Sequence, residues 1–96
     1  MTSNHLDNVS QAQKERLFHI DFRLRFLGTV SRADLVNRFG VKAAAATRDL
    51  SLYKELAPGN LEYDTKAKIY NASGQFTPLF DYSQGQVLAA LCHGLG

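Results

Sequence analysis

The chain has 96 residues, which is enough for one domain with a modest core and too few for two. Its content of 45% hydrophobic and 21% charged residues is ordinary for a globular protein and excludes wholesale disorder. Net charge is only +2, yet residues 1–60 carry nine Lys/Arg against six Asp/Glu and residues 61–96 carry two against three, which permits nucleic-acid binding without requiring it.

In chain order, residues 1–9 read as a polar arm. Residues 10–27 follow as a long helix, with Ser10 as N-cap and Gly28 as the stop. Leu17, Ile20, Leu24 and Leu27 share one face at 3–4 residue spacing. Phe18, Phe22 and Phe26 form a second stripe nearly opposite, so this helix needs two partners. The phenylalanines are more often core than interface in such a pattern. Thr29 and Val30 form a short extended link. Ser31 then caps a second helix, with Asp34 where a capping box usually carries Glu or Gln. Leu35, Val36 and Phe39 are its buried positions, and Gly40 ends it. A third helix runs from just after Lys42 through the alanines to about Leu56, where Pro58 and Gly59 break it.

Residues 61–63 and 68–71 alternate as strands around a polar tip at 64–67, a hairpin in which Tyr63 and Tyr70 pair across the strands. Residues 77–80 read as extended, and residues 84–93 as a final helix with Val87, Leu88 and Leu91 on its apolar stripe. A short helix, a glycine turn and a second helix directly before a hairpin is the plan of a mainly α winged helix-turn-helix, whose second helix enters the DNA major groove.

The third helix carries the functional reading. With Ala46, Leu50, Tyr53 and Ala57 facing inward, Ala44, Arg48, Ser51 and Glu55 face outward, flanked by Thr47. Small residues such as Ala44 and Ala45 let the backbone approach base edges. The Arg48 fork fits guanine O6 and N7. Lys42 sits at the start of this helix. Ser31 and Arg32 begin the one before it, where free N–H groups favour anions. Lys66 and Lys68 decorate the wing, either as phosphate contacts or as solubilising charges. Asp49 is expected to pair with an arginine, because a carboxylate repels phosphate.

Elsewhere, His5, His19 and His93 are scattered as surface or core filler, and Cys92 reads as a structural thiol. No Cys/His set has metal-ligand spacing and no cofactor is expected. No apolar run approaches a membrane span and the start is not a signal peptide, which points to the cytoplasm. No nucleophile–base set or phosphate loop supports an enzyme. The alternative of another class is a winged-helix protein-interaction module.

The stretch from Phe39 to Leu50 resembles the helix-turn-helix of the DeoR class, whose second helix ends in an Arg-Arg-Asp-Leu run. Arg48, Asp49 and Leu50 are kept here, and Thr47 stands in place of the first arginine. Segments 20–28 (IDFRLRFLG), 44–50 (AAATRDL), 52–58 (LYKELAP) and 78–80 (PLF) resemble the N-terminal domain of WYL-domain repressors of bacterial phage-defence islands, the BREX- and CBASS-associated regulators. That resemblance covers residues 14–80. The DNA-binding domain is expected over residues 10–76. Apolar area left over on the first helix is expected to make a homodimer on an inverted repeat in double-stranded DNA. The resemblance implies repression by occupying a promoter. It also implies that residues 77–96 lead on to a WYL domain and a dimerisation region. Neither fits in 96 residues, so the chain is expected to be a piece of a longer protein.

Overall fold

The computed structural model describes residues 9–80. Its elements in order are α1 (Gln11–Phe26), β1 (Thr29–Val30), α2 (Arg32–Phe39), α3 (Ala43–Leu56), β2 (Leu61–Asp64) and β3 (Ile69–Ala72). Three helices and a small antiparallel sheet form the expected mainly α winged helix-turn-helix. The polar arm before Val9 and the expected final helix at 84–93, with His5, Cys92 and His93, lie outside the described residues.

The helix ends follow from local chemistry. Ser10 Oγ accepts from the Gln13 amide at 3.1 Å, which starts α1. Gly28 takes a left-handed φ of 82° just past its end, a conformation that suits a residue without Cβ, and its N–H reaches the Arg23 carbonyl at 2.8 Å. Gly40, with φ 69°, ends α2 in the same way. The short α2 packs mainly on α3, and α3 also packs directly on α1, so Leu17, Ile20 and Leu24 of α1 meet Leu35 of α2 and Ala46, Leu50 and Tyr53 of α3 in one core. Burying each large apolar side chain there contributes roughly 1.5–3 kcal/mol.

Four expectations need correction. Leu27 does not join the buried stripe. It caps the helix rather than continuing it, and keeps 47% of its surface exposed. The phenylalanine stripe divides: Phe22 is buried, Phe18 meets the Phe80 ring edge-on at 5.5 Å, and Phe26 remains 46% exposed. The link at Thr29 and Val30 is a third strand. It pairs with β3 as Thr29↔Asn71 and Val30↔Tyr70, giving a sheet of order β1-β3-β2. Lys68 leaves the strand and enters the turn with φ 59°. Its N–H reaches the Asp64 carbonyl at 2.7 Å, while Asp64 Oδ1 accepts from the Lys66 and Ala67 amides. The register Tyr63↔Tyr70 sets those rings 4.7 Å apart, the expected cross-strand pair.

Residues 77–80 form no strand. They run across the body, tied to Asn60 and Asp21.

Candidate nucleic-acid interface

α3 presents two faces, and burial separates them as the angular reading requires. Ala46, Asp49, Leu50 and Tyr53 are buried, whereas Ala44, Thr47, Arg48, Ser51 and Glu55 are exposed. Ala45 is half-buried on the flank. Ala57, expected on the buried face, is half-buried because it sits at the C-cap, where the helix has already ended. Among the described residues, the Arg48 guanidinium makes no ion pair or hydrogen bond, so it is available to a ligand.

The helix is fixed from below by its acid. Asp49 pairs with Arg16 of α1, which donates through Nε and, at 3.4 Å, through Nη2; Gln13 Nε2 adds a bond of 3.1 Å. The arginine expected for Asp49 is therefore one from α1. A second fixing point was not foreseen: the Tyr53 hydroxyl donates to the buried carboxylate of Asp21. Burial first, and then that carboxylate, push the Tyr53 phenol well above its ordinary value, so it stays a donor.

An open groove runs between α2, α3 and the wing. Ser31 and Arg32 line it from the start of α2, Thr47 from α3, and Lys68 from the wing turn. Arg32 Nη1 donates across it to Thr47 Oγ1 at 3.4 Å. The groove thus gathers four of the expected contacts. Arg48, Ala44, Ala45 and Ser51 lie outside its lining on α3, with Lys42 at the N-cap and Lys66 on the wing turn. It also brings in Asn37, Ala67 and Tyr63, which sequence reasoning missed. The spacing of Ala33 and Asn37, one helical turn apart on an exposed face, was a signal that could have found Asn37.

The two helix starts differ. At α2 the Ser31 N–H donates to the Asp34 carboxylate at 2.7 Å and Ser31 Oγ accepts from the Asp34 amide at 3.2 Å. The Ser31 and Asp34 amides are therefore already taken inside the capping box, and Asp34 places a negative charge beside them. At α3 Lys42 makes no side-chain cap and the first turn holds no acid.

His19 lies away from this surface, buried and edge-on to Phe39 at 5.4 Å. Burial, then the nearby charges of Arg23 and Arg38, lower its pKa to about 4. Among the described residues there is no set of acids, histidines or cysteines arranged to hold a metal, and no helix long and apolar enough to cross a membrane.

Residues 12–91 match the family of the BrxR transcriptional regulator winged helix-turn-helix domain. The chain is 40% identical over 84 residues to a DNA-binding transcriptional repressor, CapW, of Stenotrophomonas maltophilia, covering 88% of this chain and 28% of that protein. It is 39% identical over 82 residues to the CapW of Pseudomonas aeruginosa, covering 85% and 27%. Against CapW of Escherichia coli strain KTE188 it is 43% identical over 68 residues, covering 71% and 23%. The chain thus spans no more than 28% of the length of these curated relatives.

Proposed function

This chain belongs to the family of BrxR transcriptional regulator winged helix-turn-helix domains, and from that premise we propose that it binds duplex DNA sequence-specifically and represses a bacterial phage-defence operon. In this reading α3 enters the major groove, and Arg48 reads a base with Ala44, Ala45, Thr47 and Ser51 around it. Ser31, Arg32, Lys42, Lys66 and Lys68 hold the flanking backbone. Two copies bind an inverted repeat, in the cytoplasm and without a cofactor, and repression follows from occupying the promoter. The role is binding, not catalysis.

The observation that supports this best is the outward face of α3. An unpaired arginine stands there among small side chains, beside a groove whose rim carries Arg32 and Lys68. A titration with duplex DNA at low and moderate salt tests it. Binding that weakens steeply with salt is the expected result. Failure to bind any duplex would leave the domain as a docking module for another protein.

A further inference from the structure

Asp21 sits in the middle of α1 and is fully buried. A carboxylate in such a place needs donors around it. Three of its donors are neutral and come from two directions. One is the Tyr53 hydroxyl of α3. The others are the backbone N–H groups of Leu79, at 3.0 Å, and Phe80, at 3.1 Å.

Asn60, also buried, closes the circuit. Its amide donates to the Tyr53 hydroxyl oxygen at 3.0 Å and to the Thr77 carbonyl at 2.7 Å, and its Oδ1 accepts from the Thr77 N–H at 2.9 Å. Residues 77–80 are therefore held by two side chains, and both of those also bond Tyr53. None of residues 77–80 lines the groove.

We propose that Asp21 is a positioning residue for DNA reading, the joint through which the docking of residues 77–80 sets the seat of α3. The inference rests on the DNA-binding reading above. If residues 77–80 lift, Asp21 keeps its burial but loses its backbone donors, and Asn60 loses Thr77. Each of the two side chains is then held by fewer bonds, and the frame around the Tyr53 hydroxyl loosens. Tyr53 stands on the buried face of the helix that carries Arg48, so its anchoring is the anchoring of the reading face. Linkage makes the effect reciprocal: DNA that seats α3 must also tighten residues 77–80.

Amide hydrogen exchange on this chain tests it, with and without a duplex selected on the same chain from a random pool. The expected result is slower exchange at α3 amides such as Arg48 and, several-fold, at Leu79 and Phe80. Slowing in α3 with no change at Leu79 and Phe80 overturns the joint and leaves the DNA reading standing. No change in either place overturns both. In Tyr53→Phe, which keeps the ring and removes the hydroxyl, DNA should still slow α3 but no longer Leu79 and Phe80. If their protection persists in that variant, Asp21 does not act through Tyr53. Should the variant fail to fold, the comparison on the unaltered chain decides alone.

Discussion

Arg48 is exposed on α3, with the small residues Ala44 and Ser51 a turn away on the same face, so its planar fork has room to meet a base edge. Arg48→Ala should cost about 1–3 kcal/mol on the best duplex and flatten the preference at one base position. Lys68 holds the same charge on a turn, where a backbone phosphate is the natural partner. Lys68→Ala should weaken all duplexes by similar factors, which affinities on a selected and a scrambled duplex at matched salt would check. Equal losses on both duplexes for Arg48→Ala would make Arg48 a phosphate clamp instead. His19 gives a different kind of prediction. Its pKa falls from 6.5 to about 4 on folding, so the unfolded chain binds the extra proton between those values. The stability from the neutral ring is whole above the unfolded value and is lost as pH falls toward the folded one. The total is on the order of 3 kcal/mol. Denaturant melts across that pH range should show the loss, and His19→Gln should flatten it.

Between elements, one contact that holds α3 on α1 is the ion pair at Asp49. Arg16→Met keeps the packing of the stem but leaves Asp49 buried with Gln13 as its remaining side-chain partner. Stranding a buried charge costs about 3–5 kcal/mol, which a denaturant midpoint would reveal. Asp49→Asn, which removes the charge itself, should cost less. Much at this scale is legible in the chain. The caps at Ser10 and Ser31, the glycines at 28 and 40 and the outward face of α3 all depend on neighbours within a turn or two, and local sequence records them. β1 is not legible in the same way. Two residues show no period, and Thr29 and Val30 become a strand only because β3 arrives beside them. Asp21 hides for a related reason. It lies between Ile20 and Phe22, members of opposite stripes, where a carboxylate reads as solvated. Only the return of residues 77–80 brings the donors that let it stay inside. The groove is the same case, since its walls come from α2, α3 and the wing, each distant in sequence from the others.

For the molecule as a whole, salt dependence measures how many copies sit on one duplex. Arg32, Lys42, Lys66 and Lys68 are the cations assigned to phosphate. One copy making those contacts should give a log–log salt slope of about −3.6, and two copies about twice that. Sedimentation of the complex, set beside the measured slope, would check both the dimer and the contact set. The sheet has a consequence of its own. Because β3 is pinned to β1, and Ala72 N–H also reaches the Gly28 carbonyl at 2.9 Å, the wing grows from the frame that ends α1. Its base cannot swing without breaking the body, whereas the tip at 65–68 is exposed. Residues can be inserted or lost at 65–68 with the foundation intact. A change of loop length at 65–68 should therefore alter how far the wing reaches while leaving unchanged the angle at which it departs from the body.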